Sequence, residues 1–349
     1  MRLLKQKILN LNNQKIYLIT INNDNNYSIS FYNYGGYIKS ILIPYKNKSK
    51  REDVLIGYNS FNDWKNDSEY FNCIIGRTSG RINKANFILN KKNYKLNANN
   101  GDHHLHGGKK GLNKKVWEIK KIDKDTSKVA CMLYYNSPHL EEGYPGNVKC
   151  YSTYSLNNKN EFIIKFKAIS DRDTIINFTN HNYWNFHGHQ KNYKNIINHK
   201  VMINSSKYCD INSDLITSGK ILNINNSKYN FKKFSTIEKS ILKDGGIDTC
   251  YKISKYNNRL KFNASIYSEM TKMGIKMYSN QPGIQLYTGN MMRSSYKGKY
   301  GRKYGKHYGI CLEPQIFPNA INHKNFISPI IKANKIYSSK IVIKLKNDF

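Results

Sequence analysis

The sequence has few acidic residues, few prolines and no long apolar run. Its 349 residues include 23 Asp and Glu against 57 Lys and Arg, which gives a formal net charge of +34 at pH 7, and only 7 residues are proline. No stretch approaches the roughly 18 consecutive apolar residues that a membrane-spanning helix requires. Aromatic residues reach 13%, including 28 Tyr, and disordered chains contain far fewer. We therefore expect a folded protein that does not span a membrane.

Cysteine is also scarce and shows no metal-binding or redox spacing. The six cysteines form no CxxC pair, and a chain of this length does not need disulfides to hold a core together. We interpret them as reduced core residues: Cys73, Cys131, Cys150, Cys209, Cys250 and Cys311. The first ten residues, Met1 to Asn10, have Lys interrupting their apolar runs and lack the continuous apolar segment of a signal peptide. Together these features predict a cytoplasmic protein.

The positive charge raises the question of a nucleic-acid partner. A field of this sign attracts nucleic acid non-specifically, whereas specific binding requires a motif or a concentrated patch. Lysine is scattered along nearly the whole chain, and the densest basic run, Arg293 to Lys306, interleaves Tyr with Lys and Arg. Some RNA-binding tails have this composition. Because ordered sequence flanks the run on both sides, we interpret it as a solvated loop and predict no specific nucleic-acid partner.

Alternating apolar and polar residues dominate the chain and predict many short strands. Clear examples are Tyr17–Ile21, Tyr27–Phe31, Tyr37–Ile43 after a Gly35-Gly36 turn, and the hairpins 87–96 and 148–167. Residues 62–70 are compatible with a helical turn, but no segment of 10 to 15 residues has strong helical periodicity. No fixed-period repeat or linker interrupts the pattern. We predict an all-β fold, a large β-sandwich in which residues 1–349 form a single domain.

The stretch from Asn177 to Gly188 is the most unusual part of the chain. It combines histidines, a phenol, an indole and several amides within twelve residues. Aromatic faces stack on the apolar face of a pyranose, amides and phenols bind its hydroxyls, and imidazole transfers protons near neutral pH. A buried strand whose histidine is satisfied by a backbone carbonyl has the same composition. The stretch alone does not decide between a sugar site and a core strand.

Two other segments hold candidate functional side chains. The loop from Asp102 to Gly108 has three histidines in four positions, which could ligate a metal, but it lacks a Cys partner or HExxH spacing. We favour a substrate-binding His106, followed by two glycines that allow close backbone approach. Glu313 closes an apolar strand, where an unpaired carboxylate is costly, and Asp248 follows a glycine-rich turn. Both are candidate site acids, with salt-bridged structural acids as the alternative.

Seven motifs, in order along the chain, resemble those of the aldose 1-epimerase (galactose mutarotase) family. They are Gly76–Ile82, Asn99–Gly108, Glu142–Gly146, Asn177–Trp184, Gly246–Asp248, Gln281–Asn290 and Cys311–Ile321. The resemblance implies a galactose mutarotase-like β-supersandwich with an open sugar cleft. It also implies an isomerase that interconverts the α and β anomers of free hexoses such as galactose and glucose, without a cofactor or metal.

The same resemblance implies a role for each matching residue. Glu313 would be the general base and His181 the general acid, which we expect on opposite sides of the sugar. Binding or orienting the sugar would fall to Gly80, Arg81, His106, Tyr183, Asp248 and Gln285. Three positions depart from the family pattern: Gly80 stands where Asn is frequent, Trp184 where Phe is usual, and Pro314 where Thr is usual. These departures concern sugar preference and rate more than reaction type.

Several alternatives stay open at this level. A hexose-6-phosphate 1-epimerase of the same fold would need extra cations at the cleft mouth, and basic residues are abundant enough to provide them. A non-catalytic carbohydrate-binding protein would not need an acid–base pair. The sequence does not distinguish a monomer from a homodimer, and it does not show whether the Arg293–Lys306 loop covers the cleft.

Overall fold

The computed structural model describes residues 1–47, 50–189, 193–293 and 296–349. In chain order, the strands of the first half are β1 (Arg2–Leu11), β2 (Gln14–Asn22), β3 (Ser28–Tyr32), β4 (Ile38–Pro44), β5 (Arg51–Asp53), β6 (Ile74–Ile75), β7 (Arg81–Ile82), β8 (Asn86–Leu89), β9 (Lys92–Lys95), β10 (His104–Leu105), β11 (Glu118–Lys124), β12 (Lys128–Ser137), β13 (Val148–Asn157), β14 (Glu161–Ser170) and β15 (Thr174–Ile175). Those of the second half are β16 (Thr179–Asn180), β17 (Tyr183–Trp184), β18 (Lys200–Ile203), β19 (Lys207–Ile211), β20 (Thr217–Asn223), β21 (Ser235–Thr236), β22 (Asp248–Lys252), β23 (Lys261–Tyr267), β24 (Gly274–Ser279), β25 (Gly283–Tyr287), β26 (Tyr296–Lys297), β27 (Lys303–Tyr304), β28 (Ile310–Gln315), β29 (Ile330–Ile331) and β30 (Ile336–Lys346). The described residues also form two short α-helices, α1 (Phe61–Lys65) and α2 (Glu238–Asp244), with 3₁₀ turns at Asn83–Ala85, Leu112–Lys114, Glu141–Gly143, Lys299–Gly301 and Ala320–Asn322.

Three antiparallel sheets carry most of the described strands. The first five strands form one sheet in chain order, and a six-stranded sheet has the order β17-β28-β25-β22-β19-β20. The largest has nine strands in the order β11-β12-β13-β14-β30-β24-β23-β18-β21. Its central strand, β30, comes from the end of the chain and pairs with β14 on one side and β24 on the other. The chain end therefore joins the two halves of this sheet.

The core lies between the nine-stranded and six-stranded sheets. On β14 the apolar side chains Phe162, Ile164 and Phe166 are buried and alternate with more accessible residues, as the two-residue period of a strand requires. They belong to the same apolar cluster as Leu286 of β25 and Leu312 of β28. Because neighbouring residues point to opposite faces of a strand, the outer face of the six-stranded sheet is free to carry polar groups.

The structure confirms the predicted all-β architecture and most of the predicted strands. The first three correspond to β2, β3 and β4, the hairpins to β8–β9 and β13–β14, and the helical turn to α1. Gly35 and Gly36 have φ of +60° and +57°, the left-handed conformation that makes glycine the favoured turn residue there. The sequence pattern missed β1, an edge strand with mostly exposed side chains, and α2, which is too short for a helical period to show.

The structure also bears on the cysteines and on membrane-spanning segments. All six cysteines are free thiols and buried. In the part of the chain that the structure describes, no helix is long and apolar enough to cross a membrane.

Candidate active site

A cavity of about 290 Å³ opens on the outer face of the six-stranded sheet. Side chains of β17, β22, β25 and β28 form its floor, and the loops before β7 and β10 and after β28 contribute to its walls. The structure brings all eight predicted site residues to this cavity: Gly80, Arg81, His106, His181, Tyr183, Asp248, Gln285 and Glu313.

Strand alternation turns Glu313 towards the cavity. It lies on β28 next to Leu312, which packs in the core, and its register partner on β25 is Gln285. One carboxylate oxygen of Glu313, Oε2, is buried and has no hydrogen-bond partner among the described residues. Burial, together with the nearby charge of Asp248, raises the pKa of the Glu313 carboxyl well above its ordinary value. In the sugar-free site the carboxyl therefore tends to keep its proton.

His181 lies directly beside this carboxyl. Its Nε2 is 3.5 Å from Oε1 of Glu313, and its ring stacks on Tyr183 with centroids 5.0 Å apart. The backbone of His181 is fixed on both sides, because its N–H donates to the carbonyl of Cys73 and its carbonyl accepts from the N–H of Asn72. Burial lowers the pKa of His181 to about 4, so the imidazole is neutral near pH 7.

The position and protonation of this pair differ from the sequence-based expectation. A sugar ring does not fit between atoms 3.5 Å apart, so the expected placement on opposite sides of the sugar is wrong. The hydroxyl oxygen O1 and the ring oxygen O5 are both bonded to C1, and neighbouring groups can reach both from one side. A neutral carboxyl with a neutral imidazole, and a carboxylate with an imidazolium, contain the same number of protons and differ only in which group holds the shared titratable one. The pair therefore keeps one donor and one acceptor in either form.

A polar row of Arg81, Asp248, Gln285 and Gln315 crosses the cavity floor. Gln285 donates from Nε2 to Oδ1 of Asp248 at 2.7 Å, and Gln315 donates from Nε2 to Oε1 of Gln285 at 3.4 Å. Arg81 places Nη1 3.7 Å from Oδ2 of Asp248 and donates from Nε to Asn100 at 2.8 Å. Burial raises the pKa of Asp248, and the charge of Arg81 opposes that shift. These contacts hold the row in place before any sugar binds.

The loop around His106 depends on glycine. The N–H of Gly80 donates to Nδ1 of His106 at 3.3 Å, and burial lowers the pKa of this imidazole well below its ordinary value. A neutral ring that accepts at Nδ1 carries its hydrogen on Nε2, which makes His106 a donor. Gly107 has φ of +87°, and a Cβ there would lie 1.8 Å from the carbonyl oxygen of Gly76. Gly80 has no side chain and offers only its backbone. A larger residue would be strained there, because its Cβ would meet Pro318 at 2.8 Å.

Tyr183 differs from the other predicted binding residues. Its hydroxyl donates to the backbone carbonyl of Glu69 at 2.8 Å, and its ring lies against the imidazole of His181. The contacts that the structure shows therefore position the imidazole. Tyr183 can reach a sugar only by accepting a hydrogen bond at its hydroxyl or through its ring.

Comparison with known sequences shows to which family the chain belongs. The profile of the family described as Aldose 1-epimerase matches residues 17–344. The chain is 33% identical over 297 residues to a galactose mutarotase of Sus scrofa, covering 83% of each sequence. The chain belongs to the aldose 1-epimerase family. An aldose 1-epimerase of Escherichia coli K12 is 25% identical over 330 residues, covering 92% of this chain and 93% of that protein.

Solved structures support the fold independently. A galactose 1-epimerase from Lactobacillus acidophilus superposes with a TM-score of 0.87 at 22% identity, covering 100% of this chain and 99% of the other. An aldose epimerase homologue from C. elegans gives 0.85 at 23% identity, covering 95% and 99%. The aldose 1-epimerase profile spans all eight cavity residues predicted from the sequence.

Sequence reasoning missed several residues in and beside this candidate site. Cys311 places Sγ 3.5 Å from Nδ1 of His181, and Gln315 joins the polar row. Both lie two positions from Glu313, so strand alternation alone could have identified them. The ring of Tyr70 contacts His106 at a centroid distance of 4.8 Å, and no local pattern marks this residue.

The two histidine-rich segments divide between site and core. In the Asn177–Gly188 stretch, His181 and Tyr183 line the cavity, whereas Trp184 and Phe186 pack in the apolar core. Part of the stretch therefore lines the cavity and part of it is core, so each of the two interpretations applies to some of its residues.

The three histidines of the Asp102–Gly108 loop face different partners and not one another. His103 accepts from the N–H of Lys84 at Nδ1, and His104 bonds the carbonyl of Asn97 and the hydroxyl of Tyr144, while His106 faces the cavity. Within the described ranges, the ligand-type cluster is instead His181, Cys311 and Glu313, whose ligand atoms lie within 4.8 Å of one another.

The Arg293–Lys306 segment is more than a solvated loop, and that interpretation was wrong for its central part. Lys299 is buried, and its Nζ donates to Oδ2 of Asp53 and to the carbonyl of Leu55, both at 2.8 Å. Arg293, at the start of the segment, lines the cavity. Residues 294 and 295 lie outside the described ranges; among the described side chains of the segment, Arg293 lines the cavity and those of 298–306 do not.

Proposed function

We propose that the chain interconverts the α and β anomers of free hexoses such as galactose and glucose by opening and reclosing the pyranose ring. The observation that carries this proposal is the Glu313–His181 pair, whose side chains lie 3.5 Å apart and line a cavity of about 290 Å³. The family membership and the relatives described as galactose mutarotases support the reaction type.

Ring opening requires two proton transfers, one from O1 and one to O5, the two oxygens bonded to C1. We assign Glu313 the base that takes the proton of O1, and His181 the acid that protonates O5 as the C1–O5 bond breaks. The electron pair of the O1–H bond becomes part of the C1=O1 bond, and the pair from the broken bond stays on O5. Rotation about C1–C2 then exposes the other face of the aldehyde, and the two residues exchange roles as the ring closes. Each proton transfer contributes about 10²–10⁴-fold to the rate.

This assignment requires the shared proton to lie on the imidazole when the sugar reacts. The pKa directions place it on the carboxyl in the sugar-free site. The 3.5 Å separation of the two groups is short enough for the proton to pass between them with little movement. A sugar hydroxyl bound to Glu313 would supply a hydrogen bond that favours the carboxylate. We therefore propose that substrate binding sets the active protonation state.

The remaining predicted residues would hold the sugar. We assign hydroxyl binding to Arg81, His106, Asp248 and Gln285, with Gly80 contributing only its backbone. Tyr183 would act mainly by holding the His181 ring, since its hydroxyl already donates to Glu69.

The charge of the cavity favours a neutral hexose over a hexose 6-phosphate. Its basic lining residues are Arg81 and Arg293, and its acidic ones are Glu69, Asp248 and Glu313. Arg81 already faces Asp248. Among the described lining residues this leaves Arg293 to bind a phosphate dianion, which would also meet the three acids. Comparing turnover on galactose and on glucose 6-phosphate tests this preference, and faster turnover of the phosphate would reverse it.

We also propose that one chain suffices for the reaction, as a monomer or a homodimer, because all eight site residues lie on one cavity of one chain. The core shared by the nine- and six-stranded sheets supports a single domain. Six free thiols suit a reducing compartment such as the cytoplasm.

The decisive experiment is polarimetry of freshly dissolved α-galactose and α-glucose with the Glu313→Gln variant. We expect turnover to fall about 10²–10⁴-fold after subtraction of the spontaneous rate, while calorimetry still detects galactose binding. Glu118→Gln, an exposed position on β11 of the other sheet, is the matched control and should retain full activity. Near-normal mutarotation by Glu313→Gln would show that another group is the base. Galactose binding by the parent chain without any acceleration of mutarotation would instead favour a carbohydrate-binding protein without catalysis.

A further inference from the structure

Three different ligand types meet beside the cavity, where His181 and Glu313 line it and Cys311 is buried behind them. His181 Nδ1 lies 3.5 Å from Cys311 Sγ, and His181 Nε2 lies 3.5 Å from Glu313 Oε1. One ligand atom from each residue can be chosen so that all three lie within 4.8 Å of one another. An imidazole nitrogen, a thiolate sulfur and a carboxylate oxygen are the three ligand types that Zn²⁺ takes in proteins.

The spacing is close to that of a tetrahedral zinc site. With Zn–S of about 2.3 Å and Zn–N of about 2.0 Å, tetrahedral angles separate the nitrogen and sulfur by about 3.5 Å. This is the separation observed between His181 and Cys311. The three ligand atoms lie within 4.8 Å of one another, so the widest separation needs to close by about 1 Å to match such a site. Because Glu313 contacts the other ring nitrogen, Nε2, an ion on Nδ1 requires the Glu313 carboxylate to approach that side of the imidazole.

The site also has the right charge and an unfilled ligand position. Thiolate and carboxylate together balance a dication, so the complex is neutral inside a buried environment, where net charge is costly. Oε2 of Glu313 is buried without a hydrogen-bond partner among the described residues. His181 and Glu313 line the cavity, which gives an ion a path to them, and a fourth position would face the cavity.

We propose that His181, Cys311 and Glu313 form a binding site for Zn²⁺, and that zinc bound there inhibits the enzyme. The inhibition rests on the proposed function, because the ion would occupy both groups assigned to proton transfer. The binding does not rest on it, since it follows from the three ligands alone. Zinc and sugar would exclude each other.

Zinc binding is measured by isothermal titration calorimetry with ZnCl₂ on the full chain. We expect one high-affinity ion per chain, at least tenfold weaker binding by Cys311→Ala, and weaker apparent binding in saturating galactose. Cys131→Ala removes a buried thiol from β12 of the nine-stranded sheet and is the matched control, which should bind as the parent does. Co²⁺ in place of Zn²⁺ should give a thiolate-to-metal charge-transfer band that Cys311→Ala lacks. Thermal melting of each variant confirms that it is folded, and Cys311→Ser serves if the alanine variant is not.

Equal zinc affinity in the parent and in folded Cys311 variants would overturn the proposal, as would a cobalt complex without a thiolate band. Zinc that binds through Cys311 but leaves mutarotation unchanged would overturn the inhibitory role. The two proposals fail separately: Glu313→Gln with normal mutarotation refutes the assigned base, whatever the metal titrations show.

Discussion

The buried ion pair between Lys299 and Asp53 gives a prediction that links the basic segment to the cavity. Its side chains are 4% and 2% exposed, and Lys299 Nζ makes two hydrogen bonds of 2.8 Å, to Asp53 and to the carbonyl of Leu55. Asp53 Oδ1 also accepts from the N–H groups of Ile41 and Leu55 at 3.2 Å. The Lys299→Met change keeps most of the side-chain volume and removes the charge, which leaves the Asp53 carboxylate buried beside an apolar group.

The expected cost is large because only one partner is removed. Breaking a buried, hydrogen-bonded ion pair in this way costs about 3–5 kcal/mol in the free energy of unfolding. At about 2–4 °C per kcal/mol for a large domain, the melting temperature should fall by roughly 6–20 °C. The double variant Asp53→Asn/Lys299→Met should recover most of this loss, because Asn keeps an acceptor for the two N–H groups without a buried charge.

Urea unfolding and thermal melting of the parent, the two single variants and the double variant provide the measurement. Strictly additive single effects, or a loss below about 1 kcal/mol for Lys299→Met, would contradict the reasoning, because exposed ion pairs contribute no more than that. Met291 and Arg293, shortly before Lys299, line the cavity. We therefore also expect the KM for galactose to rise in Lys299→Met more than kcat falls.

Three further predictions follow from the site. Because the active pair shares one titratable proton, kcat/KM, which reports the sugar-free enzyme, should fall as pH drops through about 4, where His181 becomes protonated beside a neutral Glu313. It should fall again above the raised pKa of Glu313. Polarimetry across pH checks this, and an acid limb that persists in His181→Asn would count against it. Gly107→Ala should lower the free energy of unfolding, measured in urea titrations, by more than about 2 kcal/mol. Positive φ alone strains a residue with a side chain by about 1–3 kcal/mol, and the new Cβ would also clash with the backbone of Gly76. Gly101→Ala is the control and should lose clearly less, because Gly101 has positive φ but no atom within 4 Å of its Cβ position. Arg81→Ala removes the cation of the polar row, so steady-state kinetics should show a larger rise in KM than fall in kcat, and an unchanged KM would argue against a binding role.

The sequence was informative wherever a local pattern carries the information. Two-residue alternation identified strands such as β13 and β14, because burial of one sheet face leaves its mark on every second residue. The motifs of the family resemblance led to the eight residues that the structure brings to one cavity.

The arrangement within the cavity could not be read from the sequence. The closeness of His181 and Glu313 depends on the pairing of β17 with β28, which sets Tyr183 opposite Cys311, and no local spacing encodes that register. Their protonation depends on burial by the surrounding chain. The burial of Lys299 likewise depends on Asp53, which is remote in sequence. A single lysine in a basic, Tyr-rich run looks the same whether it is solvated or buried.

The cavity wall is assembled from segments as distant in sequence as Ser68 and Pro318. A hexose bound there would contact segments that are far apart in sequence, and it would act as a non-covalent cross-link between them. Its binding free energy would then add to the stability of the whole molecule, by RT ln(1 + [L]/Kd). No fragment taken from one side of the sequence would hold a sugar, and a cut in any of the contributing loops would weaken fold and binding together.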